Sequence, residues 1–547
     1  ALPILVTALQ TLPGTVNVGN KTGLYVRGGE GRETITVIDG LKVSNPFYTA
    51  IPDISQRGRF SPFLFQGTFF STGGYSAEYG QALSSALILN TVGLAEQTFT
   101  NIDLMTLGAG GGHNHRWRKT SLGAWFNYTN LNPYNNIVEQ NIDWDKSVIG
   151  YNGSMMFRHK TTGSGMIKAY MQYDGGDMAF YKQNYNEPYD KKLFSINNNY
   201  FFSNASYNGA INGKWFFSTA ISHSQNKDDI ADGDDDILNT DKASMGKVKF
   251  KRLLGDLSSF KFGGEYQHYD ITTSFNEYDE DMTEDYAGVF VESDVYLTTK
   301  LVWRMGLRGE YSAMVEKANI APRTSIAYKL GEYSQFSLAY GQYFQTPRYE
   351  YLTNNNLNQY EKSTHYILNY QRITEDRTWR VEGFYKQYNR LIKTVPDISA
   401  DGEGYATGID VFWRDKKTFK NVDYWISYSY LDTKRKFLDY PKKIMPEFAA
   451  KHNVTVVYKH FIPAISTSFG ATYVFSSGRP YFNPNSTDFL SDFTKNYNNF
   501  SINASYLTSL FGSFTVVAVS VSNLFGFENV HGYHFSNNGT KKWAIKD

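Results

Sequence analysis

Apolar and polar residues alternate along much of the chain beyond residue 97. Between Val422 and Tyr430 every second residue is apolar or aromatic. The same period of two recurs in three further segments: 336–344, 452–459 and 469–476. This period is typical of β-strands with one apolar face. A soluble β-propeller would also contain many strands, but it would need a shared repeat of roughly 40 to 50 residues, and no such repeat is visible.

Short and long connections between these predicted strands follow one another in turn. Short turns are expected near 161–165, 255–258, 329–334, 374–377 and 460–464. Longer connections are expected at 130–145, 174–192, 226–241, 273–284, 346–360, 391–403, 432–447 and 476–496. Outer-membrane barrels show this pattern, with short periplasmic turns and longer extracellular loops.

The strand count sets the predicted architecture. About 21 strands can be counted from Thr98, and a barrel whose ends lie on one side needs an even number. We therefore expect an all-β transmembrane protein with an antiparallel barrel of about 22 strands, the number found in plugged outer-membrane transporters. Residues 97–547 would form the barrel, and residues 1–96 would form a module inside its lumen. A final strand beyond Asp547 and an N-terminal part before Ala1 are expected to complete it.

Composition narrows the function classes. The 547 residues include 54 Lys and Arg against 53 Asp and Glu, so the basic excess of a nucleic-acid-binding protein is absent. There is no cysteine, which excludes disulfides and cysteine-based metal sites. The mean hydropathy is −0.44, but a spanning strand hides its lipid-facing half among polar neighbours. No run approaches the roughly 18 to 20 apolar residues of a membrane helix. Aromatic residues make up 16% of the chain, which suits girdles at the membrane interfaces.

The first 96 residues contain a glycine-punctuated pattern. Its elements are Val26-Arg27-Gly28, Val37-Ile38-Asp39-Gly40, Ala77-Glu78-Tyr79-Gly80 and the apolar strand from Ala86 to Leu89. In order and spacing this pattern resembles the plug of TonB-dependent outer-membrane receptors. Later segments, including Gly408 to Phe412 and Ser522 to Gly526, resemble the barrel of Bacteroidota-type members.

The resemblance implies localisation in the outer membrane of a Gram-negative bacterium. It also implies coupling to an inner-membrane TonB complex through an N-terminal segment that this chain does not contain. The plug residues Arg27, Gly28, Asp39, Gly40, Glu78, Tyr79 and Gly80 are expected to serve structure and gating rather than ligand contact. Arg27, Arg32 and Glu78 are expected to pair with charges on the inner barrel wall. On its own, Asp39-Gly40 after an apolar run is a hairpin-turn signal.

Other candidate sites are less specific. Tyrosines of the long connections could contact a ligand: Tyr181, Tyr185, Tyr189, Tyr349 and Tyr351. Clustered carboxylates can coordinate Ca²⁺, so we weigh a calcium site at Asp232, Asp234 and Asp236 against a solvated acidic loop. A second acidic segment follows at 277–285. His113 and His115 share a strand face but lack a third metal ligand nearby. No catalytic motif stands out, and we expect a protein that is not an enzyme.

Three functions are compatible with these observations. The first is TonB-dependent active import of a scarce ligand, such as a siderophore or metal chelate. The second is a receptor-like barrel that acts as a structural or accessory subunit of an outer-membrane complex. The third is import of a glycan or peptide with a surface lipoprotein partner. The plug sequence from Thr36 to Leu41 resembles that of siderophore and metal-chelate receptors more than that of glycan importers.

Overall fold

Twenty-one strands close into one barrel in the computed structural model, which describes residues 8–19, 21–54, 56–138, 141–185, 191–352 and 357–546. The barrel strands are β7 (Phe99–Met105), β8 (Gly108–Arg116), β9 (Thr120–Asn130), β10 (Asp143–Lys160), β11 (Met166–Gln183), β12 (Lys191–Ala210), β13 (Trp215–Asp232), β14 (Asp235–Leu254), β15 (Ser258–Phe275), β16 (Tyr278–Tyr296), β17 (Leu301–Ser312), β18 (Lys317–Lys329), β19 (Ser334–Gln345), β20 (Glu361–Ile373), β21 (Arg377–Lys393), β22 (Ser399–Asp415), β23 (Val422–Lys436), β24 (His452–Ile462), β25 (Thr467–Ser476), β28 (Tyr497–Leu510) and β29 (Ser513–Val521).

Six short strands precede the barrel. One short strand pair lies between barrel strands β25 and β28, and another follows the last barrel strand, β29. The leading strands are β1 (Thr15–Val16), β2 (Tyr25–Val26), β3 (Thr34–Ile38), β4 (Leu41–Lys42), β5 (Phe65–Ser71) and β6 (Ser85–Thr91). The later pairs are β26 (Pro480–Tyr481) with β27 (Asp492–Phe493), and β30 (Val530–Phe535) with β31 (Lys542–Lys546). Two one-turn helices are α1 (Asn132–Asn135) and α2 (Tyr349–Leu352), and three 3₁₀ turns cover Gly31–Glu33, Pro62–Leu64 and Pro463–Ile465. No helix among the described residues is long and apolar enough to cross a membrane.

The barrel strands bury polar side chains and expose apolar ones. In β23, Ser427, Ser429 and Arg435 are buried, whereas Ile426 and Tyr430 are exposed. A soluble strand would show the opposite arrangement, but a membrane barrel turns its apolar face to lipid and its polar face to the lumen. The alternation in the sequence therefore predicts the strands correctly. The polar side chains face the lumen because the apolar ones face lipid.

The leading strands lie inside the barrel wall. Strands β4, β3, β6 and β5 form a four-stranded sheet in that order, with β3 and β6 parallel. The turn between β3 and β4 is the predicted Asp39-Gly40 pair, with φ of +46° and +102°. Two successive positive φ values match the tight hairpin turns that Asp-Gly favours. We call residues 8–96 the plug.

Four predicted long connections are wrong in extent. In 174–192, β11 runs on to Gln183, and in 391–403 only residues 394–398 lie between β21 and β22. The segment 226–241 is almost entirely paired strand, because β13 and β14 are joined through Gly233 and Asp234 alone. The segment 273–284 is likewise a hairpin of β15 and β16 around Asn276. Outside the membrane both faces of a strand meet water, so a polar run extends the sheet as readily as it forms a loop. The strand count of twenty-one equals the number counted along the sequence.

Candidate functional site

Arg27 of the plug contacts two acidic residues of the barrel wall. Its guanidinium pairs with Glu382 on β21 and lies 2.6 Å from the Asp410 carboxylate on β22. Its central carbon also lies 4.4 Å from the centre of the Phe384 ring. All three charged groups are buried, and Arg380 supplies a second cation 2.7 Å from Glu382, so the charges are compensated by one another rather than by water.

Two further ion pairs join the plug to neighbouring strands of the same wall. Arg32 forms a two-bonded pair with Glu361 on β20, at 2.7 and 2.9 Å. Glu33 pairs with Arg435 on β23, and the same guanidinium donates to the carbonyl of Gly28, at 2.6 Å. Strands β20 to β23 therefore hold the plug by charge. We call them the charged wall.

Glu78 sits among three lysines of β14 and β15. Its carboxylate lies 2.9 Å from Lys249, 3.4 Å from Lys261 and 3.5 Å from Lys247. Burial alone would raise the pKa of the Glu78 carboxyl, but the three ammonium groups outweigh it and hold this pKa well below its ordinary value. Glu78 therefore stays ionised at every physiological pH.

Barrel side chains also contact Tyr79 and Gly80, the residues that follow Glu78. Arg323 donates to the carbonyl of Tyr79 at 2.7 Å, and Lys247 lies 4.8 Å from the centre of the Tyr79 ring. At Gly80 a Cβ atom would overlap the side chains of Arg308 and Glu310. A larger residue there would displace the Arg308–Glu310 ion pair. Gly28, with φ of +72°, packs against the wall residues Thr433 and Ala406.

On β12 and β13 the plug residue Arg59 is held by neutral acceptors. Arg59 donates to the amide oxygens of Asn198 on β12 and Asn226 on β13, each at 2.9 Å. Its central carbon lies 4.3 Å from the centre of the Tyr200 ring. Neutral acceptors give weaker bonds than carboxylates do.

A cavity of about 380 Å³ opens beside the plug on the side of the long connections. We call it the outer chamber. The plug contributes Lys42 and Gln81, and the barrel contributes Tyr269, Gln345 and Tyr349. The Lys42 ammonium lies 5.4 Å from the centre of the Tyr269 ring, and the rings of Tyr269 and Tyr349 lie 6.3 Å apart.

Two amide atoms in this chamber have no hydrogen-bond partner among the described residues. They are Nε2 of Gln81 and Oε1 of Gln345. The other end of each amide is fixed, because Thr346 donates to Gln81 Oε1 and Gln345 Nε2 donates to the carbonyl of Arg32. A buried unpartnered donor and acceptor are costly unless a ligand or water completes them.

The predicted tyrosines are scattered. Tyr349 lines the outer chamber, while Tyr351, two residues further along α2, does not. Tyr181 lies on β11, where its hydroxyl is 3.4 Å from Asp145. Tyr185 stacks on His534 at 4.3 Å, and burial together with the charge of Asp53 raises its pKa to about 12. Tyr189 lies outside the described residues.

The proposed calcium ligands lie on one hairpin. Asp232 ends β13 and is 2.5 Å from the Lys182 ammonium, while Asp234 and Asp236 are exposed at and after the turn. Among the described residues, no group of three His, Asp or Glu side chains is arranged to hold a metal ion. The calcium site stays a prediction.

The two predicted metal-binding histidines lie on β8. His113 and His115 are exposed there with ring centres 6.1 Å apart. His115 packs against Trp117 at 4.4 Å. This arrangement is an aromatic row along the strand.

A family model for the β-barrel of TonB-dependent receptors matches residues 39–524, which is most of the chain. The chain belongs to the TonB-dependent receptor family. No curated protein sequence gives a significant match. This receptor is therefore an outer-membrane protein of TonB-dependent transport, and it is not an enzyme. The Bacteroidota-type resemblance stays a prediction.

Solved structures share the fold across the whole chain. The ferric citrate transporter FecA in its unliganded form has a TM-score of 0.76 at 12% identity, covering 100% of this receptor and 92% of FecA. The FrpB iron transporter from Neisseria meningitidis has a TM-score of 0.77 at 12% identity, covering 100% and 94%. The siderophore receptor PiuA from Acinetobacter baumannii has a TM-score of 0.74 at 13% identity, covering 99% and 92%.

Sequence reasoning missed the chamber residues Lys42, Gln81, Tyr269 and Gln345. They come from separate plug and barrel segments, and the first and last, Lys42 and Gln345, lie 303 positions apart (345 − 42). One local signal was available at Gln81, because it directly follows the Tyr79-Gly80 pattern. Its φ of +56° is unusual for a residue with a side chain.

Proposed function

We propose that this receptor actively imports an anionic metal chelate, such as a ferric siderophore, and binds it in the outer chamber. The proposal is supported by the chamber's polar groups that have no hydrogen-bond or ion-pair partner among the described residues. Lys42 supplies a cation beside two tyrosine rings, and Gln81 and Gln345 supply a free donor and a free acceptor. A few convergent polar groups in an otherwise apolar pocket are typical of small-molecule sites.

The charge balance of the chamber favours an anion. Arg32 is already neutralised by Glu361 and Glu30. Lys42 and Lys242 form no ion pair with any described residue, whereas the single lining carboxylate, Asp241, accepts a hydrogen bond from Asn45 at 2.9 Å. The names of FecA, FrpB and PiuA accord with a metal-chelate ligand, although identities near 12% carry only the fold.

The proposal names the TonB complex as the partner, and the two alternative functions differ from it in what they require of the chamber. Coupling to the TonB complex follows from the family, and the membrane partner is outer-membrane lipid. Import of a glycan or peptide would instead need a surface lipoprotein, and it would not need the charge of Lys42. An accessory structural subunit would bind no small ligand in the chamber at all.

Binding to the purified receptor tests the proposal. Titration calorimetry would compare ferric citrate, a ferric hydroxamate and a neutral oligosaccharide, after mass spectrometry of co-purifying small molecules. Lys42→Gln should weaken binding of the anionic chelate about tenfold or more, the value of one charged hydrogen bond. The control Lys146→Gln removes an exposed lysine paired with Asp177 outside the chamber and should change nothing. Oligosaccharide binding without chelate binding would refute the proposal, as would equal effects of both variants.

A further inference from the structure

A second cavity lies on the other side of the plug hairpin. It measures about 110 Å³ and opens towards the short-turn side of the barrel. We call it the inner cavity. Its lining includes Asp39 and Gly40 at the hairpin turn, and Ala220, Lys247 and Lys249 on β13 and β14. The outer chamber is lined by the same hairpin and by the outer part of the same β14 strand.

One face of β14 runs past both cavities. Asp241 and Ala243 line the outer chamber, Lys247 and Lys249 line the inner cavity, and Met245 lies between them. Residues two apart share a strand face. Eight residues at about 3.4 Å each span roughly 27 Å, so this single face connects the two openings.

Leu41 of β4 is what separates the cavities. It is buried in a small apolar cluster with Ala220, Ala243, Met245 and Tyr269. Ala243 and Tyr269 line the outer chamber, and Ala220 lines the inner cavity. Along this wall, the Leu41 side chain is therefore packed between residues of the two cavities.

The segment that carries Leu41 is weakly held. Strand β4 has two residues and lies at the edge of the plug sheet, where it pairs only with β3. The Leu41 side chain itself contacts the wall only through apolar groups, and the ion pairs on this side flank it, at Asp39 with Lys168 and at Glu78 with the lysines of β14 and β15. Short edge elements with few contacts open at lower free energy than the rest of a domain.

We propose that the imported ligand passes along the β13–β15 wall and that Leu41 is the gate on this route. The proposal rests on the proposed import function. Lys42 lines the outer chamber. The inner cavity is lined by Lys168, Lys247 and Lys249 against the paired carboxylates of Asp39 and Glu78, so one net positive charge remains there for a passing anion. The plug then needs to release only its β4 edge, while Arg27 and its neighbours stay bound to the charged wall.

Conductance in planar bilayers tests the gate without any ligand. With potassium chloride as the probe, Leu41→Ala should join the two cavities and raise the open time of the receptor at least tenfold. The matched control is Leu83→Ala, which shortens an equally buried plug leucine in the cluster beside the charged wall. The control should stay closed. A silent Leu41→Ala receptor, or equal conductance from Leu83→Ala, would overturn the proposal.

A cross-link tests the same gate during transport. The chain contains no cysteine, so Leu41→Cys with Ala243→Cys introduces the only pair. Oxidation should block chelate uptake by energised cells while calorimetry shows unchanged chelate binding, and reduction should restore uptake. The control pair is Leu83→Cys with Ser363→Cys, where the serine hydroxyl donates to the Leu83 carbonyl at 2.6 Å. Uptake through the oxidised gate pair overturns the route. Loss of binding in the parent protein would instead refute the proposed ligand.

Discussion

Removing the charge of Arg27 should loosen the plug in a measurable way. Arg27 is 2% exposed, and its substitution by methionine keeps most of the side-chain volume. The Asp410 carboxylate would then be buried without a cation, and Glu382 would keep only its pair with the partly exposed Arg380. Two desolvated like charges favour any state in which water reaches them, so the receptor should open more often.

The size of the effect follows from the burial of the cluster. Breaking a buried ion pair by removing one partner costs about 3 to 5 kcal/mol. At about 1.4 kcal/mol per factor of ten, the open fraction should rise roughly 100- to 4,000-fold. The comparison is Arg414→Met, which breaks an exposed pair with Asp423. Exposed pairs contribute about 0 to 1 kcal/mol, so this variant should change the open fraction by about fivefold at most.

Open time in planar bilayers, recorded at several ionic strengths, measures the difference. The combined variant Arg27→Met with Glu382→Gln and Asp410→Asn removes the orphaned charges and should recover most of the closure. Equal open times for Arg27→Met and Arg414→Met would refute the electrostatic account. So would a triple variant as leaky as Arg27→Met alone.

Three further predictions concern the plug and the outer hairpins. The intact receptor should not conduct steadily, and deleting residues 1–96 should open the pore; a large steady conductance of the intact protein in bilayers would contradict this. The depressed pKa of Glu78 means that its contribution is complete above the ordinary glutamate pKa of about 4.3 and shrinks as the pH falls further. The protection factors of plug amides, which correct for the intrinsic pH dependence of exchange, should therefore stay constant from neutral pH to about 5 and then fall, and Glu78→Gln should remove that fall; a fall near neutral pH contradicts it. Millimolar Ca²⁺ should protect the 228–236 hairpin from external protease, and unchanged cleavage would leave only an acidic hairpin.

Local features of the fold could be predicted because they depend on neighbours in sequence. The Asp39-Gly40 turn needs only two positive φ values between two strands, and the alternation in β23 needs only a period of two. Which face of β23 turns inward depends on the solvent outside the barrel, which the membrane sets. The prediction of loops at the acidic segments was wrong, because a polar sequence can also form a strand with both faces in water.

The site could be predicted only in part. Charged residues in the plug pattern pointed to the wall, since a buried charge needs a partner. Their partners could not be named, because Arg27 and Asp410 are 383 positions apart and meet only through the register of the whole barrel. The outer chamber is assembled in the same way, so the tyrosine-rich connections were a poor guide. Among the predicted tyrosines that the structure describes, only Tyr349 lines it.

Uptake of radioactive iron(III) by whole cells tests the central claim most directly. Cells that produce the receptor, and matched cells that produce Lys42→Gln, would be given the iron chelate that binds the purified protein best. The account predicts accumulation that stops when a protonophore collapses the proton-motive force and that is at least several-fold slower for Lys42→Gln at limiting chelate. Accumulation that continues unchanged without the proton-motive force, or no accumulation of a chelate that the receptor binds, would contradict it.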